Sequence, residues 1–206
     1  MSSDELFFAN VADSARFGEA IRWFDDLNAA DPNREVVDGI SQPREWINAR
    51  RLSRWVIALA PNASEPLRLA SRCQHLCRWM IPRQRYEMTR AGYHQWRNEL
   101  KRFHADKSSE VLWAVGYLSD IVERVRDLNL KKGFPADPES RVLEDALCLV
   151  FLQFQFAELA DKTEKGKVVN ALQKSWNKMT PVAREHALKL EYAPRELELI
   201  KVALGS

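Results

Sequence analysis

Glycine is scarce in this chain, with seven in 206 residues and none gathered into a glycine-rich loop. That excludes the phosphate-cradling loops in which backbone N–H groups close on a nucleotide. Cysteine is scarcer still. Cys73, Cys77 and Cys148 form an odd, sparse set, which fits a reducing cytoplasm rather than a disulfide framework. No apolar run reaches the roughly 20 residues of a membrane span, because Asp and Glu interrupt each candidate. The opening "MSSDELFFANVAD" has no basic stretch ahead of an apolar core, so no secretory signal is expected. An excess of one charge is missing too. Thirty-one Lys and Arg stand against 29 Asp and Glu, and the net charge of +2 sets up no field that demands nucleic acid or a membrane as partner. Internal repeats and low-complexity segments are also lacking.

What the chain has is helical punctuation. Phe17, Ile21, Phe24 and Leu27 recur at spacings of four and three, and no stretch alternates apolar and polar residues long enough to specify a strand. Residues 31–43 read as an irregular connector ending at Pro43. A helix follows up to Pro61, and Ser64 caps the next, with Pro66 in its first turn. That helix is expected to run to about Met80, since Leu69, Cys73, Leu76, Cys77 and Met80 fall on one face. Thr89 caps "RAGYHQWRNELKRFH", and a shorter helix, "SSEVLWAVGYL", breaks near Gly116. "SDIVERVRDLNLKKG" ends in basic residues and glycine. Asp137 and Pro138 open the helix "LEDALCLVFLQFQFAEL", and Thr180-Pro181 opens another. These elements predict one all-α domain over 1–206, with the helices of 164–204 as an extension of it.

Some polar residues sit at awkward places. Glu144 and Asp145 lie in a stretch apolar on nearly every side, where an unpartnered carboxylate would be costly. They are expected either to meet the N-terminal dipole and a cation such as Arg78 or Arg83, or to meet His75 and His104 in a ligand site. His104 otherwise reads as the C-terminal cap of its helix. From Arg72 to His104 there are eight Lys or Arg against two Glu, with Trp79, Tyr86, Tyr93 and Trp96 interleaved. Such a mixture can hold phosphates or stack bases, although the balanced overall charge gives nucleic-acid binding little support.

The segments "RCQHLCRWMIPR", "AGYHQWRNELKRFHA" and "LEDALCLVFLQFQFA" span the central half of the chain. They resemble an uncharacterised family catalogued as domain of unknown function 4202. More distantly, the order "NARRLSRWVIALA", "LRLASRCQHLCRW", "FHADKSSEVLWAVGYLSDIVERVRDL", "LEDALCLVFL" is similar to the HD-domain metalloenzymes. That resemblance implies an HD-like helical topology. It also implies a metal held by a His, a His-Asp pair and a later Asp, commonly to hydrolyse phosphoesters. Here Asn48 stands at the first His, His75 at the second, and Leu76 at its Asp. Leu147 stands at the final Asp, with Asp145 two residues earlier. The implied site is thus a rebuilt one from His75, His104, Glu144 and Asp145. Their mixed nitrogen and oxygen donors would suit zinc, iron or manganese, which could activate a water.

The expected protein is therefore an all-α, HD-like, cytoplasmic enzyme, a metal-assisted hydrolase of a small phosphorylated or otherwise anionic substrate. His75, Glu144 and Asp145 are its expected catalytic groups. His75, His104, Glu144 and Asp145 are its expected ligands to a divalent metal. Arg72, Arg78, Arg83 and Arg97, with Tyr86 beside them, are expected to hold the substrate through forked hydrogen bonds. The alternatives are a non-catalytic module binding a nucleotide, RNA or protein, and an HD-like di-iron oxygenase.

Overall fold

The computed structural model describes residues 3–9 and 11–205. Among them the protein is all-α, with eleven α-helices and one small two-stranded sheet. The packing groups the residues into two compact units, Met1–Ser140 and Arg141–Ser206.

The first unit holds α1 (Ser3–Phe8), α2 (Ser14–Ala29), β1 (Arg34–Val37), β2 (Ile40–Pro43), α3 (Arg44–Leu59), α4 (Glu65–Cys73), α5 (Arg90–Val115) and α6 (Ser119–Leu130). Its core is built from Phe17 and Phe24 of α2, Val56 and Ile57 of α3, Leu67 and Leu69 of α4, Leu112 of α5 and Leu128 of α6, all fully buried. α4 packs on α3 and α6, and α5 on α6 and α2. A polar knot joins three of these helices. Buried Asn129 of α6 donates to Ser108 Oγ of α5 at 3.0 Å and to Cys73 Sγ of α4 at 3.4 Å. Buried Arg68 of α4 donates to the carbonyls of Ala63, Phe7 and Ala9, tying the chain after α1 to the core.

Three boundaries differ from those predicted. The connector at 31–43 is an antiparallel hairpin, with Val37 facing Ile40 across Asp38-Gly39. Both turn residues have positive φ, 52° and 77°, as a tight Asp-Gly hairpin turn requires. α4 stops at Cys73 rather than near Met80. Cys77 adopts a left-handed conformation, φ 54°, and its N–H is received by Oδ1 of buried Asn28 at 3.2 Å. The apolar spacing continues through this bend, but the helix does not. α5 runs unbroken for 26 residues, because nothing at Ala105-Asp106-Lys107 interrupts it. His104 is therefore a mid-helix residue and caps nothing.

The second unit contains α7 (Pro138–Val150) from Arg141 onward, a π-helical turn (Phe151–Gln155), α8 (Phe156–Lys162), α9 (Lys165–Lys178), α10 (Pro181–Leu188) and α11 (Pro194–Leu204). α9 and α8 pack on α11 around buried Phe156, Val168, Leu172, Leu199 and Ala203. Among the described residues no helix is long and apolar enough to cross a membrane.

Candidate functional site

The bend after α4 turns Gln74, His75 and Arg78 toward one face of α5. On that face Arg97, Leu100, Lys101 and His104 follow one another at spacings of three, one and three, which is a single helical stripe. Lys131 closes the arrangement from the end of α6, where it sits in a left-handed cap with φ 59°. Together these residues line a recess in the first unit whose enclosed part has room for about one water-sized group and which opens to solvent.

The two imidazoles lie with ring centroids 5.8 Å apart. His104 Nδ1 is 2.8 Å from the carbonyl of Leu76. A carbonyl can only accept, so Nδ1 carries the proton and the lone pair lies on Nε2. Burial drives the His104 pKa down to about 4, with the Leu76 bond opposing and the charges of Arg78 and Arg97 adding to the fall. His75 is half-buried. It too is held well below its usual value, by burial first and then by Arg78, His104, Arg97 and Lys131. Both histidines are thus neutral at pH 7. Arg78 lies over the Trp96 ring at 5.4 Å, and Trp96 Nε1 donates to Ile81 O at 2.8 Å, which fastens the bend to α5. Behind Arg78 stands buried Glu45, whose backbone N–H reaches Asp31 Oδ2 at 3.0 Å. Its carboxyl is pushed up to about 7 by burial, with Arg78 opposing and Asp31 reinforcing.

Of the residues singled out from sequence, His75, His104, Arg78 and Arg97 meet here. Arg72 does not line the recess; it lies 3.5 Å from Asp25 and over the Phe7 ring. Arg83 staples its own loop by donating to the carbonyls of Tyr86, Glu87 and Thr89. Tyr86 is not in the recess lining; its hydroxyl pKa is raised, by desolvation first and then by Glu99. In the second unit, Glu144 accepts from Lys178 Nζ at 2.9 Å. Asp145 accepts from Thr180 N at 2.9 Å and from Thr180 Oγ1 at 2.5 Å. Thr180 Oγ1 in turn caps α10 by receiving Ala183 N–H. Both carboxylates therefore have partners in their own unit, which answers the cost of burying them. Gln74, Lys101 and Lys131 were missed. The stripe Arg97, Lys101, His104 was legible from spacing alone, whereas Lys131 reads only as the end of a helix.

The Asp145 contacts give a measurable expectation. Asp145→Ala strands two part-buried donors of Thr180, each worth about 1–3 kcal/mol when fully buried and unmatched and less where water can reach it, and should destabilise the protein by about 2–3 kcal/mol in urea denaturation. Asp145→Asn keeps one acceptor and can turn its amide toward Oγ1, so less than half of that loss is expected. Equal losses would show that the negative charge, rather than the hydrogen bonds, holds the cap.

A divalent metal does not fit the recess. It offers two imidazoles, one nitrogen of which is already bonded to Leu76. Arg78, Arg97, Lys101 and Lys131 surround them and would repel a cation. Among the described residues no group of three or more His, Cys, Asp or Glu is placed to hold a metal ion. The same lining suits an anion. Four cations converge, and no carboxylate belongs to the lining.

The family model described as "Domain of unknown function (DUF4202)" matches residues 18–200, and the chain belongs to that family. Comparisons with curated proteins and with solved structures each return no match.

Proposed function

We propose that this member of the DUF4202 family is a small-molecule enzyme whose first unit binds a phosphorylated or otherwise anionic substrate in the recess. The observation that carries the reading is the convergence of Arg78, Arg97, Lys101 and Lys131 on two neutral histidines. The cations hold the anion, and forked contacts from the arginines orient it. His104 Nε2 then serves as a general base, a role that contributes about 10²–10⁴-fold to rate. In a hydrolysis it takes the proton of the attacking water. The oxygen–phosphorus bond to the leaving group breaks, and the leaving oxygen, stabilised by the adjacent cations, takes its proton from solvent. A bound anion also opposes the field that lowers both histidine pKa values, which brings the base closer to its working range. No step is assigned to a metal. The three cysteines are buried, and none is in a disulfide, which supports a reducing, cytoplasmic setting. A nucleic-acid module is supported less well, because Arg78 covers the Trp96 ring on which a base would stack.

Calorimetric titration with inorganic phosphate at low salt tests the binding half of the proposal. Wild-type protein is expected to bind, and Arg97→Ala to weaken binding at least about tenfold, the loss of one charge-assisted contact. Turnover of a chromogenic phosphomonoester, abolished in His104→Phe, tests the catalytic half. Wild-type protein that takes up no phosphate would sink the proposal.

A further inference from the structure

Two acceptors in the recess have nothing to accept. His104 is 2% exposed, and its Nε2 has no hydrogen-bond partner. Gln74 is 3% exposed, and its Oε1 has none either. They come from different segments, the bend after α4 and the middle of α5, yet both line the same recess as the four cations. Buried polar atoms are nearly always matched, so an unmatched pair in one place marks an incomplete site. The recess is narrow, with room for about one water-sized group. That is the size of a hydroxyl or amine terminus.

The two sets of groups ask for opposite things. The cations draw oxygens that carry negative charge. His104 Nε2 and Gln74 Oε1 present lone pairs, and an anion without hydrogens would set its own lone pairs against them. A site whose acceptors are left unpaired rejects a ligand that lacks the matching donor. We infer that the recess selects an oxyanion that carries its own O–H or N–H donors, with Gln74 Oε1 and His104 Nε2 as the specificity-determining acceptors, the single lone pair of Nε2 passing from the ligand's donor to the attacking water when the reaction begins. Hydrogen phosphate and the phosphate monoesters of polyols belong to this class, and sulfate does not. The inference rests on the proposed reading of the recess as an anion site and narrows what that site takes.

Phosphate and sulfate have nearly the same size and shape and similar charge near pH 7, but only phosphate then carries a proton. Calorimetric titration of the wild-type protein with each, at pH 7 and matched ionic strength, separates them. Phosphate is expected to bind at least about tenfold more tightly, the cost of one unmatched buried group. Gln74→Leu should shrink that ratio from both sides, weakening phosphate, which loses an acceptor, and strengthening sulfate, which no longer faces an opposed lone pair. Should that variant not fold, the wild-type ratio still decides. A second pair of probes, methyl phosphate and glycerol 1-phosphate at pH 8, identifies the source of the donor, because neither ester then keeps a proton on phosphate. Tighter glycerol phosphate assigns the donor to an alcohol hydroxyl. Equal affinities assign it to the proton of hydrogen phosphate. Equal binding of phosphate and sulfate by the wild type overturns the inference, since water then serves the two acceptors, yet leaves the anion site standing. Binding of neither overturns the anion site as well.

Discussion

Replacing Arg68 by Met is expected to lower the unfolding free energy by about 3–5 kcal/mol, since it leaves three backbone carbonyls without their donor at about 1–3 kcal/mol for each one left buried and unmatched. Met has similar length and fills most of the space, so little of the loss comes from a cavity. It comes from the carbonyls of Ala63, Phe7 and Ala9, all of which the guanidinium serves. Arg68 is 2% exposed, and burial lowers its pKa while neighbouring Glu65 opposes that. Urea denaturation gives the magnitude, and limited proteolysis shows where the structure loosens. Cleavage near residue 9 should rise first, because two of the three carbonyls belong to the segment at the end of α1. A loss below about 1 kcal/mol, the scale of an ordinary surface change, would mean that water replaces the guanidinium.

The Glu45→Gln variant is expected to become markedly less stable in acid than at pH 7, where the wild type changes less. His104 has an ordinary value of 6.5 that falls to about 4 in the folded protein. The unfolded chain therefore takes up a proton that the folded protein refuses. The stability present above pH 6.5 is lost as pH falls to about 4, by on the order of 3 kcal/mol. His75, shifted in the same direction, adds to that loss. Glu45 runs the other way, from an ordinary 4.5 up to about 7. Its contribution is complete below pH 4.5 and is lost as pH rises through 7, again by on the order of 3 kcal/mol. Between these limits the carboxyl offsets part of the histidine loss. Gln removes the offset, so the stability of the variant should drop steeply between pH 6.5 and 4. Denaturation midpoints measured every half pH unit decide the matter. Parallel curves for the two proteins would mean that the Glu45 carboxyl is ionised and hydrated in the fold.

Helix starts were legible because their signals are local. Ser64, Thr89 and Thr180 each accept a backbone N–H at the head of the predicted helix, and Asp137 receives Ser140 N–H at the head of α7. The hairpin was read as an irregular connector, because its four-residue strands are too short to show an alternating pattern and only the Asp38-Gly39 pair between Val37 and Ile40 marks its turn. The end of α4 was not legible either. Leu69, Cys73, Leu76 and Cys77 keep helical spacing and are all buried, and only the bond from Cys77 to Asn28, 49 residues earlier, shows that the chain turns there. The site depends on that turn. It brings His75 to His104, so their meeting could be guessed from residue type, whereas helical spacing alone does not lead to it. For Glu144 and Asp145 the sequence marked the need for partners without naming them, since Lys178 and Thr180 lie 34 and 35 residues on.

The π-helical turn at Phe151–Gln155 changes how the second unit tolerates changes in length. Such a turn closes its hydrogen-bonded ring over one residue more than an α-turn. In a regular helix each added or removed residue rotates everything downstream by about 100°, which would swing buried Phe156 and Ala160 away from their packing. Here the surplus residue is already absorbed. Deleting one residue within 151–155 can convert the wide turn to an ordinary one and leave both faces aligned, whereas the same deletion within 143–149 cannot. A lineage that lost a single codon in this helix could keep its fold only where the helix is already wide.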